Sequence, residues 1–282
     1  MTANTHFAFG ENWASYAQGV GEAQLGWSMR CMQNLLGPDG VRGRTVIDVG
    51  CGSGLHSAAA LRLGAAAVVA IDRDPRSVAT TKAVLQRLGP QGAVYNVREA
   101  DILAPEAVAE ARFDIVYSWG VLHHTGAMHA AIARAAALAK TGGVFAFALY
   151  RKTWLCPLWK IEKRLYSRAA PSAQRLIRSA YVGLYRLRAL ATGQDFARFR
   201  EDYPRQRGMD FAHDVHDWLG GYPYESIAAP EVEALMTSLG FQHVRSNVTP
   251  KHIGFFGSGC DEYVYRNEEP LLLRQAVEAV RG

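Results

Sequence analysis

The segment Asp48-Val49-Gly50-Cys51-Gly52-Ser53-Gly54 sets a carboxylate two residues ahead of three glycines at alternate positions, at the end of the apolar run Thr45-Val46-Ile47. Glycines at that spacing let the backbone approach a ligand closely, and a helix beginning after them presents its free N–H groups. A lone glycine-rich turn serves dinucleotides, phosphates and adenosyl compounds alike. Two more acids narrow the choice. Asp72 closes the next apolar run, Ala67-Val68-Val69-Ala70-Ile71, where a carboxylate can accept hydrogen bonds from both hydroxyls of a ribose. Asp101, in Glu99-Ala100-Asp101-Ile102, follows the third run and can accept from an exocyclic adenine amine. A carboxylate beside the loop repels a pyrophosphate but suits a ligand carrying an ammonium and a sulfonium, which favours S-adenosylmethionine over a nicotinamide cofactor.

These residues require a sheet to carry them. Apolar spacing predicts a helix over 11–36, ended by Gly37-Pro38-Asp39-Gly40, then strands at 45–49, 67–71, 93–98, 113–117 and 144–149. Helices are predicted between them at 55–63, 75–88, 104–111 and 127–140. Uninterrupted apolar strands alternating with helices indicate a parallel sheet covered on both faces. Residues 151–222 break the rhythm with amphipathic helices around 154–166 and 173–190, followed by a loop rich in charged and aromatic residues. A helix near 230–239 and strands at 241–248 and 262–265 restore it. The expected division is an N-terminal helical cap (1–40), a cofactor-binding core (41–150), a basic helical insertion and lid (151–225) and a C-terminal completion of the sheet (226–282).

From Thr45 to Tyr150 the chain resembles the class I, Rossmann-like S-adenosylmethionine-dependent methyltransferases. The likeness rests on Val46-Ile47-Asp48-Val49-Gly50-Cys51-Gly52-Ser53-Gly54, the strand end at Asp72, Ala100-Asp101-Ile102, Phe113-Asp114-Ile115-Val116, Ser118-Trp119-Gly120-Val121-Leu122-His123-His124 and Gly142-Gly143. It implies an α/β fold with a seven-stranded, mostly parallel sheet whose last strand, 259–265, is antiparallel, with helices on both faces and a helical lid insertion. It implies S-adenosylmethionine as cofactor and S-adenosylhomocysteine as product. Candidate cofactor-binding residues are Trp13, Asp48, Gly50, Cys51, Gly52, Gly54, Asp72, Arg73, Asp101, Ile102, Ser118 and Trp119. Phe9-Gly10-Glu11-Asn12-Trp13-Ala14-Ser15-Tyr16 is similar to the aromatic opening of several small-molecule branches, in which the aromatic rings close over the sulfonium. Arg207-Gly208-Met209 followed by Asp217-Trp218-Leu219-Gly220-Gly221-Tyr222-Pro223-Tyr224-Glu225 resembles a lid segment of bacterial small-molecule methyltransferases.

Methyl transfer from a sulfonium needs collinear reactants, exclusion of water and removal of a proton where the nucleophile carries one. His123 and His124, after the fourth strand, are the candidate bases, with His124 preferred; packing beneath the cofactor is the competing role for each. Candidate acceptor-binding residues are Tyr16, Arg207, His213, His216, Asp217, Tyr222 and Tyr224. His213, His216 and Asp217 could ligate a metal, but the chemistry requires none and no metal is expected.

Composition sets the outer limits. The 282 residues are 49% hydrophobic and 20% charged, which excludes disordered and fibrous classes. No apolar run is long enough to span a bilayer, and Met1-Thr2-Ala3-Asn4-Thr5-His6 lacks the basic and apolar regions of a secretion signal, so a cytoplasmic protein is expected. Four scattered cysteines lack a C-x-x-C pair, so neither a disulfide framework nor a structural zinc is expected. The net charge of +5 is uneven: residues 151–208 hold 14 Lys and Arg against four acids, so this stretch carries +10 and the remainder −5. A solvated helix face, a funnel for an anionic acceptor, and docking on a membrane or an RNA backbone all fit that charge. A dimer interface fits the apolar residues beside it. No RNA-binding module accompanies the charge, so nucleic acid is not the expected partner. The function expected is methyl transfer to an O, N or S atom of a small polar, possibly anionic, metabolite. The alternatives are a methyltransferase acting on RNA or protein through the basic helices, and a non-catalytic binder of the same cofactor.

Overall fold

The computed structural model describes residues 7–104, 112–248 and 259–268. Seven strands form one sheet in the order β3-β2-β1-β4-β5-β7-β6. They are β1 (Thr45–Val49), β2 (Ala67–Asp72), β3 (Tyr95–Glu99), β4 (Phe113–Trp119), β5 (Ala139–Tyr150), β6 (Phe241–Asn247) and β7 (Cys260–Asn267). The first five pair in parallel, while β7 runs antiparallel to both β5 and β6. The strand order reverses between β1 and β4, the place where open sheets of this kind leave a crevice beyond the strand ends.

Helices cover both faces. On one, α2 (Glu22–Leu36), α3 (Leu55–Arg62) and α4 (Pro75–Leu88) bury Leu25, Met32, Ala58 and Leu85 against Val46, Val68 and Ile115. On the other, α5 (Met128–Ala136) and α10 (Ala229–Ser238) bury Ile132, Val232 and Met236 against Ile47, Val116, Phe145 and Phe147. Alternate residues of one strand therefore feed different cores, which is why the central strands read as unbroken apolar runs.

Three features depart from the expected elements. The helix predicted over 11–36 is two, α1 (Phe9–Ala17) and α2, broken where Gly19 and Gly21 weaken helical propensity. Arg87 holds the break by donating from Nη2 to the carbonyls of Ala17 and Val20, each at 2.9 Å. The helix predicted to reach 140 stops at Ala136, and β5 begins at Ala139, well before the predicted 144. The loop predicted after 190 is two helices, α8 (Phe196–Arg207) and α9 (Phe211–Gly220), each capped by an aspartate whose carboxylate accepts from the first turn, Asp195 and Asp210. Their apolar residues, Phe196, Phe199, Phe211, Val215 and Leu219, build a third core with Phe7 and Tyr166. The helix predicted at 104–111 lies outside the described residues.

The insertion opens with α6 (Cys156–Arg168) and α7 (Pro171–Thr192). Its entry is pinned by Arg151, which donates from Nε to Asp261 Oδ2 at 2.9 Å and from Nη2 to Oδ1 at 2.6 Å. Asp261 is buried, so this bidentate pair ties the end of β5 to the start of β7.

Candidate active site

A cavity of about 690 Å³ opens beyond the carboxyl ends of β1, β2 and β4, within the range of small-molecule sites. Its floor is the glycine loop. Gly50 (φ 78°) and Gly52 (φ 52°) adopt left-handed conformations, and a Cβ on Gly50 would lie 2.3 Å from Val121. A Cβ on Gly52 would lie 3.2 Å from Trp13 Nε1, so the indole packs directly on the loop. Asp72 accepts from the N–H groups of Gly52 (3.0 Å) and Asp74 (2.9 Å). Burial raises its carboxyl above the usual carboxylate range, and those two N–H groups restrain the rise. Asp101 stands on the same wall, held by the Leu103 N–H at 2.9 Å, with Arg73, Ile102 and Cys51 beside it. Trp119 also lines the cavity, its indole donating to Glu262 at 2.7 Å.

Three of the expected cofactor residues stand behind this wall. Asp48 is buried and accepts from Ser57 Oγ at 2.6 Å. Burial pushes its carboxyl up to about 6, against the Ser57 hydrogen bond and with the Asp72 charge adding. Gly54 immediately precedes α3 and lets it approach Thr81, whose Cα would lie 2.7 Å from an added Cβ. Ser118 is buried and donates to the Val49 carbonyl at 2.9 Å. None of the three lines the cavity: Asp48 and Ser118 are spent on hydrogen bonds within the protein, and Gly54, without a side chain, lets α3 pack closely behind the loop.

A 3-10 turn over Leu122–His124 places both histidines on the cavity wall. His124 Nδ1 lies 2.8 Å from the Pro223 carbonyl, which can only accept, so Nδ1 bears the proton and Nε2 a lone pair. The Tyr150 backbone N–H donates to His123 Nδ1 at 3.3 Å, so there the proton sits on Nε2. Burial lowers both rings' basicity, to about 4 for His124 and well below the ordinary histidine value for His123, so both are neutral at pH 7.

Helices α1 and α9 roof the site. Phe9 packs on His124 at 4.9 Å between ring centroids, and Trp218 meets Tyr150 edge-on at 5.7 Å. Asp214, Asp217 and Trp218 share the cavity face of α9, as helical spacing of three and four requires. Burial, with the Asp214 charge adding, pushes the Asp217 carboxyl up to about 7, against the Asn12 hydrogen bond and the Lys163 charge. His123 Nε2, Asp217 Oδ1 and Trp218 Nε1 are buried without a hydrogen-bond partner among the described residues. Tyr16 and Arg207 also reach the wall: Tyr16 donates to the Gly208 carbonyl, and Arg207 lies 3.5 Å from Asp214.

Four expected acceptor residues do not line the cavity. His213 and His216 lie on the other side of α9: His213 binds Asp210 and, at 3.0 Å, Ser15, and His216 Nδ1 accepts from Tyr166 (2.7 Å) and Arg178 (3.0 Å). The Tyr222 carbonyl receives the Phe7 N–H at 3.0 Å. Tyr224 is buried behind Tyr150 and donates to Cys156 Sγ at 3.4 Å. Among the described residues no three His, Cys, Asp or Glu side chains converge to hold a metal ion.

Three of the wall residues that sequence reasoning missed show why. His56, 2.9 Å from Ser28 Oγ and lowered to about 4 by burial, is the second residue of the helix that follows the glycine loop. Tyr150 ends a parallel strand, so the strand-end rule could have found it. Cys260 begins an antiparallel strand, so its amino end faces the site, a reversal with no local signal.

Comparison with known proteins agrees with this architecture. A family described as "Methyltransferase domain" matches residues 41–201. The ribosomal protein L11 methyltransferase of Sodalis glossinidius is 45% identical over 87 residues, covering 26% of this chain and 29% of that protein. The ubiquinone biosynthesis O-methyltransferase of a Methylobacterium species is 33% identical over 118 residues, 42% of this chain and 45% of that protein. The chain thus spans less than half the length of either relative. The structure of magnesium protoporphyrin IX methyltransferase from Synechocystis, solved with bound S-adenosylhomocysteine, covers 93% of this chain and 95% of its own at a TM-score of 0.56. At 16% identity it shares the fold.

Proposed function

The chain belongs to the methyltransferase domain family, and from that premise we propose that it moves the methyl group of S-adenosylmethionine to an O, N or S atom of a small polar acceptor. Bound S-adenosylmethionine supplies a methyl carbon on a sulfonium, open to in-line displacement by the acceptor's lone pair. The loop suits that ligand: Gly50 and Gly52 keep side chains out of the floor, Trp13 covers it, and Asp72 and Asp101 offer acceptors for ribose hydroxyls and an adenine amine.

The observation that carries the acceptor half is the opposite proton placement on two adjacent histidines of one wall. His124 Nε2 takes the proton that an acceptor hydroxyl or amine must lose. His123 Nε2, Trp218 Nε1 and Asp217 Oδ1 lie buried around it without a partner among the described residues, a polar surround on the acceptor side of the cavity. Phe9, Tyr150 and Trp218 exclude water. A cavity roofed by α1 and α9 favours a free small molecule over a residue of a folded macromolecule.

The test is incubation with methyl-labelled S-adenosylmethionine and a panel of small hydroxy, amino and thiol compounds, read by mass spectrometry. Label should enter a small compound with the parent chain and not with His124→Ala. Label found only in ribosomal protein or RNA fractions would reject the small-acceptor reading.

A further inference from the structure

Helices α6 and α7 turn ordered apolar stripes to solvent. Leu158, Ile161 and Leu165 of α6 follow Trp154 at intervals of three and four residues, and all four are exposed, Trp154 by 87%. On α7, Ala189 is the only fully buried side chain, whereas Leu176 (72% exposed), Ile177, Leu184, Leu187 and Leu190 (78%) face outward. At about 100° per residue these five share one side of α7, opposite Tyr181, Tyr185 and Ala189, which face the protein. Single exposed leucines are ordinary; eight large apolar side chains on two successive helices, with Trp154 just ahead of the first, mark an interaction surface.

Charge selects the partner. Arg164 and Arg168 border the α6 stripe; Arg175 and Arg186 border one side of the α7 stripe and Arg188 the other, all exposed. The only acid on the two helices is Glu162, which is partly buried. Among the described residues no ion pair neutralises Lys160, Arg164, Arg175 or Arg188. A two-fold contact with a second copy would set this arginine border against itself, and like charges facing across an interface repel. A nucleic acid would meet the cations but leave the leucines wet. A bilayer with anionic headgroups meets both needs, since apolar side chains enter the acyl boundary while arginines pair with lipid phosphates.

We propose that the exposed stripes of α6 and α7 dock this protein peripherally on an anionic phospholipid bilayer. No helix among the described residues is long and apolar enough to cross a membrane, so the contact is with its surface. The surface is separate from the cavity, and its occupancy does not depend on the acceptor.

The experiment is co-sedimentation of the full chain with phosphatidylcholine vesicles, with and without phosphatidylglycerol. It compares the parent with Leu176→Glu/Leu187→Glu and with Arg175→Glu/Arg188→Glu, circular dichroism verifying that each is folded. The parent should bind the mixed vesicles and partition at least roughly tenfold less onto pure phosphatidylcholine, with each double variant losing a similar factor on mixed vesicles. Parent that stays in the supernatant, or variants that bind equally, would overturn the proposal. So would a parent dimer in sedimentation velocity that Leu176→Glu/Leu187→Glu splits, because the stripe would then belong to a second copy.

Discussion

His123 and His124 are neighbours in the chain with ring centroids 4.3 Å apart, and they carry their protons on opposite nitrogens. The Pro223 carbonyl can only accept, and the Tyr150 N–H can only donate, so each backbone group dictates the tautomer of the ring it meets. One wall thereby acquires a proton acceptor and a proton donor from two identical side chains. The arrangement depends on the 3-10 turn, which points consecutive residues at different segments, β5 and the stretch after α9.

Removing the acceptor should separate chemistry from binding. His124→Ala is expected to lower kcat by about 10² to 10⁴-fold, the usual contribution of a positioned general base. Affinity for S-adenosylhomocysteine, measured by calorimetry, should change by less than roughly threefold, because the acceptor-side ring is not among its expected contacts. A parallel loss of both would make His124 a packing residue.

The pH profile discriminates between bases. With His124 near 4, its lone pair is available throughout the neutral range, so kcat should stay level from pH 8 down to well below 6. Asp217, near 7, instead changes charge within that range. If Asp217 Oδ1 accepts a hydrogen from the acceptor, kcat/KM should fall below pH 7 in the parent and stay level in Asp217→Asn. A kcat that itself tracks an ionisation near 7 would transfer the base role to Asp217.

Stability should carry the same signature with a definite sign. The folded Asp217 carboxyl lies above its ordinary 3.8, at about 7, so the folded state holds the extra proton between those values. Stability therefore falls as pH rises through that window and is level above it. The lowered histidines act oppositely, losing stability as pH drops, but they are common to both proteins and cancel in the difference. Asp217→Asn should thus gain on the parent from pH 4 to pH 7, by about a few kcal/mol at most, in urea titrations.

The cofactor assignment has its own test. Asp72→Ala should weaken S-adenosylhomocysteine binding by roughly 10 to 10²-fold in calorimetry, the loss expected for hydrogen bonds to a charged acceptor. Unchanged affinity would remove Asp72 from the site.

The buried Arg151–Asp261 pair should matter to folding alone. Asp261→Ala leaves the guanidinium without its bidentate partner and should cost about 3–5 kcal/mol in denaturant unfolding. Arg151→Met/Asp261→Leu should recover much of that, since no uncompensated charge remains.

Much of this molecule was legible locally. The glycine loop, the acids at Asp72 and Asp101 and the alternation of apolar strands and helices lie in short segments, because a parallel sheet buried on both faces writes itself as continuous apolar runs. The sheet order and the reversed β7 agree with the family likeness read from those motifs. The region after 190 was misjudged because aromatic and charged residues crowd it, and its helical period shows only once the Asp195 and Asp210 caps are noticed.

What the sequence determined by itself is the glycine-loop wall of the cavity, whose residues sit at the ends of consecutive strands and need only the parallel order to converge. The wall formed by α9 and the histidine turn was decided by tertiary structure. Whether Asp217 or His216 faces the cavity depends on how α9 is rotated against α1 and α6, and which nitrogen of each histidine is protonated depends on carbonyl and N–H groups 27 and 99 residues distant. Those choices are made by packing, which a linear pattern of residue types does not encode.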